Sequence, residues 1–284
     1  TIELEYETFG DSKNPALVLI EGHGAQMVKW DTEYCNMFAA KNLFVIRFDN
    51  RDCGLSTKFD GVQVDVNAVV TAALMEEPIP PVPYTLSDMA GDVAGLLDYL
   101  KIERAHIFGV SLGGMIAQVL TIEHPTRVRS LISVMSMSGE PEYGQAMPEA
   151  INALLSETPS DRAGFIEHSV IYQIYHSKKY RSDEFSKTSA ARDFDRMYYP
   201  QGSTRQLAAI YASGRRTEKL RAVKTPTLVV HGKDDTLISP SGGERTAELI
   251  PGAEFVLVDD MGHDMPKPLW GYLVELISGF VAKH

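Results

Sequence analysis

Ala105-His106-Ile107-Phe108-Gly109-Val110-Ser111-Leu112-Gly113-Gly114-Met115-Ile116-Ala117 holds the key to the fold of this chain. A short strand-like run leads into a serine flanked by glycines. The turn opens at once into a helix-compatible stretch that reaches His124 and is stopped by Pro125. A Gly-x-Ser-x-Gly match alone is weak, because chance yields one in roughly ten chains of this size. The strand before it and the helix after it supply the setting such a serine needs to serve as a nucleophile. The turn must be strained to lift the hydroxyl clear of the sheet. Residues two before and two after the serine then approach too closely for side chains.

Working outward, the same alternation recurs. Ile2 to Phe9 alternates apolar and polar residues, as a half-exposed strand does. Ala16 to Ile20 and Leu43 to Phe48 are almost continuously apolar, the signature of strands covered on both faces. Val128 to Val134, Thr227 to Val230 and Glu254 to Val258 give further strands. Thr85 and Asp88 have the spacing of a helix capping pair, and Met89, Val93, Leu96, Leu97 and Leu100 follow at helical intervals. Leu269 to Val281 is helical by the same test. Strands alternating with helices predict an α/β protein with a mostly parallel sheet and helices on both faces.

Between about Gly139 and Arg216 the alternation stops. Helix-compatible stretches carry Ile151, Leu154, Phe165, Ile171, Tyr172, Tyr175 and Tyr198, separated by turn formers such as Pro159 and Pro200. The expected organisation is a core of residues 1–138 and 217–284 with a helical cap of residues 139–216. An insertion at the strand ends of such a sheet tends to roof the ligand site.

Composition narrows the partners. The 284 residues are 44% hydrophobic and 23% charged, with a formal net charge of -11. That acidity disfavours nucleic acid and anionic membrane surfaces, and leaves a small molecule as the expected partner. The two cysteines, Cys35 and Cys53, have neither metal-ligand nor redox-motif spacing. No metal site and no cofactor are expected. No apolar run reaches the ~18 residues of a membrane helix, and the first residues lack a signal-peptide pattern. A cytoplasmic location is the expectation.

A serine hydroxyl needs a base to take its proton and a carboxylate to hold that base. On a strand–turn–helix elbow the chain order is serine, acid, histidine. His23 and His106 precede Ser111; His124 closes the helix after it; His168 and His176 lie in the insertion; His231 ends a strand; His284 is the last residue. His263, in Met261-Gly262-His263-Asp264 after the last strand, is the candidate base. The acid should follow the Thr227 to Val230 strand, where Asp234 and Asp235 compete. Acyl transfer also needs donors for a developing oxyanion. The backbone N–H of Leu112 is one. The second comes from Glu21-Gly22-His23-Gly24-Ala25-Gln26: either Ala25, if His23-Gly24 is the working pair, or His23, if Glu21-Gly22 is.

These segments together resemble the α/β-hydrolase superfamily, most of all its carboxylesterase and methylesterase branch. The matching pieces are Leu17 to Trp30, Val45 to Ser56, Gly109 to Gly114, Pro226 to Pro240 and Met261 to His263. The resemblance implies a mostly parallel eight-stranded sheet with a helical cap. It implies Ser111, Asp235 and His263 as catalytic triad, with His23 and Leu112 donating backbone N–H groups to the oxyanion. Asp235 is favoured over Asp234 because the family places its acid just before a short apolar segment ending in proline. Glu21 departs from the pattern, since histidine is usual there, and the side chain of His23 is left without a role. Serine at 111 separates the chain from dehalogenases and epoxide hydrolases, which resemble this fold with aspartate at that point. The function implied is hydrolysis of carboxylic esters or lactones of small, partly apolar substrates. Acyl-homoserine lactonase activity, cofactor-free perhydrolase chemistry and a ligand receptor with a residual triad are the alternatives on the same residues.

Overall fold

A computed structural model describes residues 2–284. The apolar runs build its sheet: β1 (Tyr6–Phe9), β2 (Ala16–Ile20), β3 (Phe44–Phe48), β4 (Ala105–Val110), β5 (Val128–Val134), β6 (Thr227–Gly232) and β7 (Glu254–Val258). Their order across the sheet is β1-β3-β2-β4-β5-β6-β7, with β1 antiparallel to β3 and every other pair parallel. Every run read as a strand from its residues is one. Among the described residues the sheet has seven strands, not the eight that the family resemblance implied. The first is also shorter than Ile2 to Phe9. Glu3 and Glu5 bond to Thr57, Ser56 and Asp49 of the turn after β3, and so leave the strand ladder.

The helices are α1 (Thr32–Ala39), α2 (Val66–Leu74), α3 (Leu86–Tyr99), α4 (Leu112–Glu123), α5 (Pro148–Leu154), α6 (Arg162–His168), α7 (Asp183–Arg196), α8 (Pro200–Ser213), α9 (Thr217–Arg221), α10 (Ser241–Leu249) and α11 (Trp270–Val281). Period-2 alternation along β2 sends its residues to two separate cores. Val18 and Ile20 pack with Met89, Val93 and Leu97 of α3 and Ile116 and Leu120 of α4. Leu17 and Leu19 pack with Tyr34 and Phe38 of α1 and Leu273 and Ile277 of α11. Thr85 and Asp88 form the expected capping box at the start of α3, with the Thr85 N–H donating to Asp88 at 2.8 Å. Helices α1 and α10 carry no long apolar stripe and were not legible in the sequence; in α2 the spacing of Val66, Val69, Val70 and Ala73 is a usable helical signal.

Helices α5 to α8 lie between β5 and β6, with a 3₁₀ run (Ser169–Tyr175) between α6 and α7 and no strand among them. Two ion pairs tie this segment to the turn after β3. Arg196 meets Asp49 at 2.7 Å, and Arg205 meets Asp52 at 2.8 Å with a further bond to its other oxygen at 2.9 Å. Both aspartates are fully buried. Among the described residues no helix is long and apolar enough to cross a membrane.

Candidate active site

The site begins with sheet order. β4 lies between β2 and β5, so the loops leaving all three strands converge at one edge. Ser111 follows β4 with φ 53° and ψ -120°, outside the region that a non-glycine residue ordinarily occupies. The turn is held by the Ser111 N–H donating to the Val134 carbonyl at 3.0 Å, and by the Ser136 hydroxyl donating to the Ser111 carbonyl at 2.8 Å. A methyl group on Gly109 would sit 2.1 Å from the Gly113 carbonyl oxygen, and one on Gly113 would sit 2.1 Å from that of Ile20. No side chain fits at either place, as the turn argument requires.

The structure brings Ser111, His263 and Asp235 together. Ser111 Oγ lies 2.9 Å from His263 Nε2, and His263 Nδ1 lies 2.7 Å from Asp235 Oδ2. An Nδ1–H donating to the carboxylate leaves Nε2 as the acceptor facing the serine hydroxyl. Asp235 Oδ1 accepts the N–H groups of Leu237 and Ile238, each at 2.9 Å. Asp235 is buried, which by itself raises a carboxyl. The charge of His263 and hydrogen bonds from His231 and His263 outweigh that and hold it down to about 2. Asp234 instead turns away. Its carboxylate accepts the Lys178 N–H at 3.2 Å and pairs with the Lys178 ammonium at 3.4 Å.

His231 is a partner that the sequence did not reveal. Its Nε2 is 2.8 Å from the Ile238 carbonyl and 3.2 Å from Asp235 Oδ2, so one N–H is shared between that carbonyl and the acid. Its place four residues before Asp235 was a usable signal, masked by its reading as a strand terminus.

The loop after β2 runs directly beside the serine: a methyl group on Gly22 would lie 3.3 Å from Ser111 Cβ. The N–H of Gly22 donates to its neighbour's Glu21 Oε2 at 2.7 Å, and that of Gly24 donates to Gln206 Oε1 at 2.8 Å. Among the described hydrogen bonds none uses the N–H of His23 or that of Leu112, the first residue of α4. The His23 imidazole has a place after all. Its Nε2 lies 2.7 Å from the Ser203 carbonyl on α8 and so ties this loop to the helical segment. Burial pushes the Glu21 carboxyl up to about 7, partly offset by the Gly22 N–H, Lys29 and His263, while Asp193 adds to the rise. The Tyr175 ring stands perpendicular to the His263 imidazole at 5.9 Å between centroids, and His176 packs on Tyr175 in turn.

A model described as the alpha/beta hydrolase fold matches residues 15–266. The chain belongs to the α/β-hydrolase family. Among its relatives, rhodomycin D methylesterase of a Streptomyces species is 25% identical over 287 residues, covering 93% of this chain and 90% of that protein. The 3-oxoadipate enol-lactonase 2 of Acinetobacter baylyi is 25% identical over 260 residues, covering 88% of this chain and 82% of that protein. The crystal structure of the enol-lactonase from Burkholderia xenovorans superposes with a TM-score of 0.75 at 23% identity, over 99% of this chain and 97% of that one. For this α/β hydrolase the last comparison concerns the fold alone.

Proposed function

We propose that this α/β hydrolase cleaves carboxylic esters or lactones of small, partly apolar substrates through an acyl-enzyme on Ser111. The observation that carries the reading is the unbroken relay of Ser111 Oγ, His263 and Asp235 at 2.9 and 2.7 Å, set on a strained strand–helix turn. In this reading His263 takes the hydroxyl proton as Ser111 attacks the carbonyl carbon. The C–O bond to the leaving alcohol then breaks, and His263 returns the proton to that oxygen. Water, deprotonated by His263, releases the acid. Asp235 fixes the imidazole tautomer and stabilises its cation. The N–H groups of Leu112 and His23 receive the oxyanion: neither donates elsewhere among the described residues, and on either side of His23 the Gly22 and Gly24 N–H groups are already engaged. We assign residues 139–216 to a cap that supplies the apolar part of the pocket. We place the enzyme in the cytoplasm, in keeping with the free, buried thiols of Cys35 and Cys53.

The relatives named as a methylesterase and an enol-lactonase support both an acyclic and a cyclic substrate. The test is a panel of methyl esters, p-nitrophenyl esters of graded acyl length, and γ-lactones including acyl-homoserine lactones. Wild type is expected to turn over at least one class, and Ser111→Ala to lose that activity while keeping its fold. A folded Ser111→Ala variant with wild-type turnover would remove the serine from the chemistry. Lactone opening far faster than acyclic cleavage would make lactones the main substrates.

A further inference from the structure

The loop that carries His263 does not stand alone; three consecutive residues are fastened to Tyr175–Ser177, the end of the 3₁₀ run and the two residues after it. The His263 N–H donates to the Tyr175 carbonyl at 2.7 Å. Asp264 Oδ1 accepts the Ser177 N–H at 2.7 Å and the Gly262 N–H at 3.2 Å. Gly262 is pressed so closely on this stretch that a methyl group there would sit 2.3 Å from the His176 carbonyl carbon. One carboxylate oxygen thus joins the residue before His263 to the residue two after Tyr175, whose ring packs perpendicular to the imidazole.

We propose that Asp264 is a positioning residue for His263: its ionised carboxylate clamps the Gly262 and Ser177 N–H groups and so keeps Nε2 aimed at Ser111. The inference rests on the reading of Ser111 and His263 as nucleophile and base. A carboxylate accepting two N–H groups is suited to this, since charge-assisted bonds are shorter and stronger than neutral ones. Displacement of a reacting group by about 1 Å costs on the order of 100-fold in rate. Without the clamp, His263 itself would be held by the Tyr175 carbonyl and by Asp235, and the loop before it by the Asp234 N–H on the Met261 carbonyl at 2.9 Å and by the Lys179–Asp260 pair.

The clamp also titrates. Burial pushes the Asp264 carboxyl up to about 6, partly offset by the Ser177 and Gly262 N–H groups and by His263, with Asp235 adding to the rise. Other charged or titratable groups on this side include Tyr175, His176, Arg181, Lys178 paired with Asp234, and Lys179 paired with Asp260. As pH falls through about 6, Asp264 gains a proton and becomes a weaker acceptor for the two N–H groups.

The experiment uses the full chain and the best ester of the panel. The values of kcat and KM are measured from pH 5 to pH 8 for wild type, Asp264→Ala, Asp264→Asn and Ser111→Ala. Exchange of the Ser177 amide proton is followed in parallel. Asp264→Ala should lower kcat by about 10- to 100-fold with KM within about threefold, and should speed exchange at Ser177. Asp264→Asn keeps an acceptor oxygen but not the charge, and should recover kcat at pH 7.5 only in part, to a value between those of Asp264→Ala and wild type. As pH falls through about 6, wild-type kcat should approach that of Asp264→Asn, because position 264 is then a neutral acceptor in both. The proposal is overturned if Asp264→Ala matches wild type in kcat and Ser177 exchange. It is equally overturned if Asp264→Asn and wild type share one pH profile, a comparison that stands even if the alanine variant does not fold. Turnover retained by Ser111→Ala, or none by wild type, would instead defeat the reading of the site, and the clamp's catalytic role with it.

Discussion

At the scale of single residues, the two adjacent aspartates after β6 show how one position decides a role. Asp234 and Asp235 are equivalent by composition and by their place after a strand. Only Asp235 has both oxygens engaged by Leu237, Ile238 and His263, whereas Asp234 faces Lys178. Asp235→Asn should keep the packing but favour the wrong imidazole tautomer, lowering kcat by roughly 10³- to 10⁴-fold. Asp234→Asn should leave kcat within about threefold, because surface pairs of this kind contribute little. Steady-state kinetics of the two variants separate the roles, and comparable losses in both would contradict the assignment. The residues told the choice apart only through a family pattern; the hydrogen bonds tell it apart without one.

At the scale of elements, the inner strands were legible because a parallel strand buried on both faces must be apolar throughout. The serine turn was legible because its glycines are demanded by backbone contacts. What joins the helical segment to the core was not, since each partner lies far away in sequence. The Arg205–Asp52 bonds span 153 residues and the His23–Ser203 bond spans 180. Nor does local patterning announce a charge that will be buried. Arg205→Met should strand the fully buried Asp52 carboxylate and destabilise the fold by about 3–5 kcal/mol. Adding Asp52→Asn should recover most of that loss. Urea unfolding of the single and double variants measures both steps, and a harmless single substitution would show that the pair does not anchor α8.

Over the whole molecule, buried titratable groups oppose one another. Desolvation pushes His106 down to about 4, helped by Arg129, His284 and Arg104. It also pushes His176 down to about 3, with His263 the largest further cause. The unfolded chain therefore takes up these protons first, and stability falls as pH drops from 6.5 toward those values. Glu21 and Asp264 act in the opposite sense. Their raised carboxyls bind protons in the folded state first, so stability rises as pH drops from about 7 and about 6 toward the ordinary carboxyl range. The two effects offset between about pH 4.5 and 6.5, where the wild-type stability should vary little. Asp235, held down to about 2, adds stability that is lost only as pH falls from 3.8 toward 2. Glu21→Gln removes one side of the balance. It should stabilise the protein at pH 8 by on the order of 2–3 kcal/mol and give no gain at pH 4.5. Equal effects at the two pH values in urea titrations would refute this account of Glu21.

The backbone at Ser111 has a consequence for how this protein could be improved or degraded by mutation. At φ 53° and ψ -120° the serine occupies a conformation that costs on the order of 1–3 kcal/mol for a residue with a Cβ and far less for glycine. Ser111→Gly should therefore raise the melting temperature while abolishing ester turnover, a gain that calorimetry reads directly. Selection for heat resistance alone would favour that change, and selection for turnover would reject it. The position that performs the chemistry is then one where thermal robustness and activity are in direct competition.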